Sequence, residues 1–464
     1  MTSFATFGLL YMAALFLELS ERWTFPIFTT AILGLIVVFA ASGITRIAFL
    51  ILLAASTAHL LLVQIPDVAN HANLILYCNV VLMCSIAYSL IRRREFPTDE
   101  ACFAMMRPLL QVTTVLMYVL AGFHKLNADF INPQVSCVAV MADGLAKALS
   151  AGAFSQATPT VVVALIAGVI AWELIGGLLL AIPRFQGTIL AFSWMMHASF
   201  AFIGFVDFAG LALALLFAFV PKPYVDLLNS RVRVPVLGLV IPRAHLYFAI
   251  NVAGSMLTLI PALRWRLDGR FWIGLLFNVA ALVFIWRLLT AVFASLPRPG
   301  WTGVSLRNAT TPRWMWVFPV LLLLYGLTSY LGLRTAGNFT MFSNLRTEGT
   351  RSNHFLLAGN PLKIWTYQED VVRFIDVDDS RARIGYQYQN LKGNALPVVE
   401  FRKLIRLWTA AEVNLPMTFE YQGRTYTATD IVNDPRWGRP ARDWEMILLD
   451  FRVIQTEGPN RCRW

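Results

Sequence analysis

Long apolar runs constrain this chain more than any other feature of its sequence. A helix needs about 20 mostly apolar residues to cross a bilayer core, where unpaired backbone polar groups are not tolerated. Eleven segments approach that length, near residues 4–19, 26–43, 45–64, 72–91, 104–124, 159–182, 187–206, 208–221, 244–263, 271–296 and 314–333. We therefore predict a polytopic α-helical membrane protein with nine to eleven transmembrane helices in contact with the lipid bilayer.

The distribution of charge divides the chain at Arg334. Residues 1–334 contain 21 Lys and Arg and 12 Asp and Glu, whereas residues 335–464 contain 17 and 15. In the second part, apolar residues alternate as in strands at 371–377 and 418–421, and recur with helical spacing between 398 and 412. We predict a transmembrane domain over 1–334 and a small extramembrane α+β domain, the tail, over 335–464.

The basic residues between the apolar runs predict an orientation. With the amino terminus inside, the inner loops contain twelve basic residues and the outer loops six, as the positive-inside rule favours. The tail and the loop 127–158 then lie outside, and in a bacterium the protein would lie in the plasma (inner) membrane. The cluster Arg264, Arg266 and Arg270 on an outer loop opposes this orientation. Because the positive excess lies between hydrophobic segments, it indicates topology and no nucleic-acid partner.

The cysteine pattern bears on disulfide bonds and metal binding. No Cys-x-x-Cys pair occurs among the five cysteines, which are Cys78, Cys84, Cys102, Cys137 and Cys462. We therefore predict neither a disulfide framework nor a zinc or other metal site.

Residues 4–19 follow no basic region and precede no clear small-residue cleavage site, so we interpret them as a retained span.

Ionisable side chains in apolar runs are costly in lipid and are therefore candidate functional groups. They are Glu18, His59, His71, Arg107, Lys125, Glu173, His197, His245 and Arg287. We interpret Glu18 and Arg287 as structural or snorkelling groups, and His59 and His245 as core or interface histidines. Lys125 ends an apolar helix, where desolvation would favour the neutral amine that a general base requires. A lysine that snorkels to the interface is the alternative.

Three blocks of residues, in order along the chain, carry a family resemblance. They are Asn70-His-Ala-Asn-Leu74, Ala121-Gly-Phe-His-Lys-Leu-Asn-Ala-Asp-Phe130, and Trp172-Glu-Leu-Ile-Gly176 followed by His197-Ala-Ser-Phe-Ala-Phe-Ile-Gly204. Together they resemble the HTTM-domain family, and within it vitamin K-dependent γ-glutamyl carboxylase. The catalytic lysine of that enzyme matches Lys125, and its supporting histidine matches His71. The third block resembles a helix pair with a Glu and a His, here Glu173 and His197.

The resemblance implies a multi-pass membrane enzyme in which the lysine deprotonates reduced vitamin K or a related quinol. Oxygen then yields the quinone epoxide and a strong base, which removes a γ-proton from glutamate before CO₂ adds. Lys125, His71, His197 and Glu173 are thus the predicted catalytic residues. The histidines would stabilise oxyanion charge, and Glu173 could orient Lys125, His71 or His197.

The sequence also departs from the carboxylase. Phe130, His124 and Asn127 replace a tryptophan, a lysine and an aspartate of the family segment, and the tail is far shorter than the family's luminal region. Quinol epoxidation is therefore better supported than carboxylation, and the acceptor substrate is unknown. The alternative is a non-catalytic transporter or a lipid- or anion-binding module that retains the HTTM fold.

One stretch of the tail, residues 340–355, resembles a segment of bacterial HTTM proteins with a short tail. We predict that Arg346, Arg351 and His354 bind an anionic substrate group near the membrane surface. The alternative is a loop whose polar residues bond one another and cap the bundle.

Overall fold

The computed structural model describes residues 1–21, 26–64, 70–150, 156–234, 238–257, 269–295, 303–306, 310–348, 352–382 and 390–462. The protein is mostly helical, and each of the eleven apolar runs contains a helix in its described part. Within those residues, five helical segments are long and apolar enough to cross a membrane: Ser3–Ser20, Asn70–Ile91, Asp99–His124, Pro159–Leu179 and Trp272–Val292.

The helices are numbered in chain order. Those of the apolar part are α1 (Ser3–Glu21), α2 (Pro26–Ser42), α3 (Arg46–His59), α4 (Asn70–Ile91), α5 (Asp99–His124), α6 (Ala128–Ile131), α7 (Cys137–Leu149), α8 (Pro159–Ala171), α9 (Gly177–Leu179), α10 (Gln186–Phe202), α11 (Val206–Leu216), α12 (Lys222–Leu228), α13 (Arg243–Leu257), α14 (Gly269–Ser295), α15 (Val317–Gly326) and α16 (Thr328–Leu331). A π-helical turn, Leu60–Gln64, follows α3, and a second one, Trp172–Gly176, joins α8 to α9.

Burial differs sharply between the central and peripheral helices. Helix α1 is apolar on all sides and almost wholly buried, and it packs against α2, α5, α11 and α13, as expected for a helix with no polar face. Helix α8 lies at the periphery, where Val161, Val163 and Leu165 are exposed. Such an exposed apolar face suits contact with lipid or another apolar surface.

The remaining elements include a short hairpin and the tail. Strands β1 (Arg231–Val234) and β2 (Leu239–Pro242) pair antiparallel. The tail contains β3 (Val371–Val377), α17 (Asp379–Ala382), β4 (Ala395–Pro397), α18 (Val398–Ala410), β5 (Met417–Tyr421), β6 (Arg424–Ala428) and α19 (Asp443–Leu448). Its four strands form an antiparallel sheet in the order β4-β3-β5-β6. Phe401 and Trp408 of α18 share the apolar core of that sheet. The predicted strand at 371–377 and the predicted helix after 398 are confirmed.

Buried charges attach the tail to the bundle. Arg334, just after α16, lies 3.0 Å from Asp450, measured from Nη2 to Oδ2. Lys403 Nζ lies 3.3 Å from Glu400 Oε2 and 3.8 Å from the other oxygen of Asp450. All four side chains are buried. Buried charges are tolerated when they are paired in this way, so the junction depends on both partners of each pair.

A disulfide bond joins Cys137, at the start of α7, to Cys462. The expectation that no disulfide would follow from the cysteine pattern is therefore wrong for this pair. The two residues are 325 positions apart, and only the folding of the tail onto the α6–α7 region brings them together. Cys78, Cys84 and Cys102 are free.

Helix α5 and the π turn Trp172–Gly176 approach closely because α5 has a glycine at their contact. A Cβ atom on Gly122 would lie 2.8 Å from the backbone N of Leu174 and 3.0 Å from the Cβ of Glu173. Such a separation is shorter than normal van der Waals contact, and backbone atoms have little freedom to move. Gly122 therefore sets the spacing between Glu173 and the end of α5.

We predict that Gly122→Ala destabilises the protein by about 1–3 kcal/mol, because the added methyl group overpacks this contact. The matched control is Gly168→Ala in α8, where nothing lies within 4 Å of the added Cβ. We expect that control to be neutral or slightly stabilising, because alanine favours helix more than glycine does. Thermal unfolding in detergent measures both variants, and equal melting temperatures would contradict the role of Gly122.

Candidate functional site

A cavity of about 180 Å³ lies within the bundle, between α4, α5, α7, α8, α10, α11 and a loop of the tail. Its wall is largely apolar and includes Met117, Met141, Leu145, Phe200, Phe208 and Phe342. The polar side chains on it are Asn70, His71, Lys125, Glu173 and Ser199. An apolar space with a few convergent polar groups is the usual form of a small-molecule site.

Lys125 and Glu173 form an ion pair on this wall. Lys125 is the residue that follows α5, and its Nζ lies 2.7 Å from Glu173 Oε2 and donates to the carbonyl of Ala121 at 3.3 Å. Only 4% of Lys125 is exposed. Its Nζ also lies 5.8 Å from the centre of the Phe130 ring. The lysine therefore faces the cavity and does not snorkel to the protein surface.

Glu173 reaches this position from an irregular turn. It lies on the π turn Trp172–Gly176, a local widening of the helix that is frequent at functional sites. Of the three groups that Glu173 could orient, which are Lys125, His71 and His197, the structure pairs its carboxylate with Lys125. Both residues still line the same cavity.

His71 lines the same cavity from the first turn of α4. Its Nε2 lies 2.8 Å from Asp207 Oδ2 and 3.0 Å from Glu18 Oε2. All three residues are buried. The structure thus brings together Lys125, Glu173 and His71, three of the four predicted catalytic residues, around one cavity.

His197 lies behind the cavity wall and is absent from its lining. Its Nε2 is 2.7 Å from the hydroxyl oxygen of Tyr118, and its ring contacts Phe200 and Phe208. Both phenylalanines line the cavity. His197 therefore shapes the wall through its neighbours.

The tail contributes Phe339, Met341 and Phe342 to the cavity wall. Phe339 and Phe342 have φ angles of 67° and 57°, a left-handed conformation that bulky residues seldom adopt and that costs about 1–3 kcal/mol each. Asn70 Oδ1 accepts a hydrogen bond from the backbone N–H of Phe339 at 2.6 Å. Contact with α4 thus holds the strained loop against the cavity.

Two of the predicted substrate-binding residues of the tail, Arg346 and His354, are absent from the lining of this cavity. His354 Nε2 donates to the carbonyl of Phe123 at 2.9 Å, and its Nδ1 accepts from the backbone of Leu356 at 3.2 Å. Burial lowers the pKa of His354, so the neutral ring that this pattern requires is favoured at neutral pH. Arg346 lies beside Arg452 in a small separate pocket, and Arg351 lies outside the described residues.

Sequence reasoning missed Asp207 and the loop 339–342 as parts of this site. Asp207 falls between the runs 187–206 and 208–221, so it is not among the charges found inside apolar runs. Its burial at the start of α11 is predictable only if the two runs form one apolar stretch. Met341 and Phe342 lie in the stretch 340–355, but the prediction for that stretch concerns only its charged residues.

Comparisons with known proteins give no match for this chain. No family model, no curated protein and no solved structure matches the chain. The interpretation of the site therefore depends on the residues and distances described above.

We predict that removing one partner of the Lys125–Glu173 pair destabilises the fold more than removing both. Lys125→Met or Glu173→Met leaves a buried charge unpaired and should cost about 3–5 kcal/mol, whereas apolar replacement of a whole buried pair is often nearly neutral. Thermal unfolding of the two single variants and the double variant measures the coupling. Lys147→Met, at an exposed lysine of α7, is the control. Additive losses in the double variant would contradict a coupled pair.

Proposed function

We propose that this chain is an integral membrane enzyme of the vitamin K-dependent γ-carboxylase-like, HTTM-domain type. In this proposal the cavity holds reduced vitamin K or a related quinol, and Lys125 is the base that deprotonates it. The observation that carries the proposal is the convergence of Lys125, Glu173 and His71 on one largely apolar cavity. A buried base among apolar side chains is what quinol deprotonation requires.

The size and position of the cavity support a lipid-soluble aromatic substrate. A volume of about 180 Å³ accommodates the hydroxyl-bearing ring of a quinol, since an apolar cavity of about 150 Å³ holds benzene. Leu165 lines the cavity, yet 41% of it is exposed on the outward side of α8. This position supports access from the lipid side, with the isoprenoid or alkyl chain of the quinol outside the cavity.

The ion pair provides a route to a neutral amine. Transfer of a proton from Lys125 Nζ to Glu173 Oε2, over 2.7 Å, leaves an uncharged amine and an uncharged carboxyl group. The amine can then accept the proton of a quinol hydroxyl group, and the resulting ammonium faces the quinol oxyanion. General-base catalysis by a positioned side chain contributes about 10²–10⁴-fold to a rate.

His71 provides a second polar group on the cavity wall, which complements Lys125. Its ring lies on the cavity wall, where a hydrogen bond to an oxygen of the quinol would stabilise charge that develops during deprotonation. In the proposed reaction, O₂ converts the deprotonated quinol to its epoxide, and this step is coupled to proton abstraction from an acceptor or to its carboxylation by CO₂. The acceptor is left open.

We predict that Lys125→Ala abolishes formation of quinone epoxide in membranes supplied with reduced vitamin K or menaquinol. Because this change also leaves Glu173 unpaired, a quinol-dependent thermal shift of the variant checks that it is folded and still binds the quinol, and loss of the base then accounts for the effect. The control Lys147→Ala should retain wild-type conversion, because that lysine is exposed on α7. Chromatographic detection of the epoxide is the measurement. Retained conversion in Lys125→Ala would exclude its role as the base.

A quinol-dependent thermal shift in the wild type without conversion of any quinol would favour the binding-module alternative.

We further propose that the amino terminus lies inside and that the tail and the loop 127–158 lie outside. The Cys137–Cys462 disulfide supports this orientation independently of the charge count, because it joins that loop to the tail. Disulfides persist in the periplasm and other oxidising compartments and are rare in the cytosol. Both cysteines would then face the oxidising side.

We predict that a membrane-impermeant maleimide labels Cys137 and Cys462 in intact cells only after treatment with an impermeant reductant. The readout is a mass increase on a gel, and the double variant Cys137→Ser/Cys462→Ser should lose it. Buried Cys78 and Cys102 should stay unlabelled in both proteins. Labelling that requires inside-out vesicles would reverse the proposed orientation.

A further inference from the structure

Two carboxylates from different helices converge on one ring nitrogen of His71. Nε2 of His71, on α4, lies 2.8 Å from Asp207 on α11 and 3.0 Å from Glu18 on α1. Asp207 is itself fixed, because its Oδ1 accepts a hydrogen bond from the backbone N–H of Phe208 at 2.7 Å while its Oδ2 faces His71. The imidazole is therefore held from two sides within a buried region.

The surroundings of Nδ1, the other ring nitrogen of His71, differ from those of Nε2. Nδ1 has no hydrogen-bond partner among the described residues, although it is buried, and the ring belongs to the cavity wall. A carboxylate bound to one imidazole nitrogen fixes the tautomer and stabilises positive charge on the ring when that charge forms. Nδ1 is then able to accept the proton of a substrate hydroxyl group and, once protonated, to donate a hydrogen bond to the resulting oxyanion.

We infer that Asp207 and Glu18 are positioning residues, which hold His71 through Nε2 and leave Nδ1 for an oxygen atom of the substrate. The inference rests on the proposed function for the identity of that substrate. The cavity then has two basic groups, each with its own carboxylate: Lys125 with Glu173, and His71 with Asp207 and Glu18. Two such groups suit a molecule with two ionisable oxygens, which a quinol has and a monohydroxy phenol lacks.

The state of the imidazole can be measured directly. The chain has six histidines, so nitrogen-15 labelling of histidine followed by solid-state NMR in liposomes gives a small set of ring signals, and His71→Gln assigns one pair. We expect the wild-type His71 signals to show a protonated Nε2. They should move in Asp207→Asn and in Glu18→Gln, while the signals of His124, His245 and His354 stay in place, because, of the other histidines that the structure describes, only His59 and His197 lie near these carboxylates or their neighbours.

Kinetics give the second measurement. Asp207→Asn should lower kcat for quinol conversion by about 100-fold with little change in KM, because the substrate still fits the cavity while the imidazole no longer stabilises charge. Asp226→Asn is the matched control, since Asp226 is exposed on α12, and it should alter neither the kinetics nor the NMR signals. If Asp207→Asn does not fold, Glu18→Gln makes the same test on the other carboxylate.

The two proposals fail in different ways. If the wild type converts no quinol but the His71 signals move in Asp207→Asn, the proposed function fails and the positioning role stands. His71 signals that are unchanged in both carboxylate variants overturn the positioning role, whatever the activity. A divalent metal that purifies stoichiometrically with the wild type and is lost in Asp207→Asn also overturns it, because the three side chains would then be metal ligands.

Discussion

The need to pair every charge inside an apolar bundle determines most of the local geometry. Lys125 has Glu173, His71 has Asp207 and Glu18, and the Arg107 guanidinium donates to the backbone carbonyls of Ala218 and Val220. Each pair joins different helices, so the positions of those helices relative to one another are fixed by the cost of an unpaired charge in a medium of low polarity. The cavity lies where two such pairs meet apolar walls, and its polar groups are therefore rigidly placed before any ligand binds.

Much of the helical architecture follows from apolar run length, because backbone groups in an apolar medium must bond within their own segment. The elements of the tail were likewise predictable where alternation or helical spacing is regular, as at Val371–Val377. The sequence identifies Lys125, His71 and Glu173 of the cavity wall as candidate functional residues, because ionisable side chains in apolar runs are rare. Their partners are not predictable, because the sequence does not say which helices adjoin. Glu18, interpreted as structural, contacts His71, and of the three groups that Glu173 could orient it contacts Lys125.

The tail contributes to the site as well as forming a sheet of its own. The division at Arg334 separates two compositions, yet Phe339, Met341 and Phe342 complete the wall of a cavity whose other residues lie between Asn70 and Phe208. Arg334, Asp450 and Lys403 hold this junction in a buried region. The strained backbone of the two phenylalanines is maintained by that packing. Deleting the tail would therefore open the cavity as well as remove a domain.

The bond between Cys137 and Cys462 also orders the events of biosynthesis. Helix α7, which provides Val138, Met141 and Leu145 to the cavity wall, leaves the ribosome 325 residues before its covalent partner. During that interval the wall is held by noncovalent contacts alone, and it becomes covalently fixed only after the tail has been translated and folded against α7. A nascent chain whose Cys462 has not yet left the ribosome therefore cannot contain the covalently closed cavity, and it carries an unpaired thiol at Cys137.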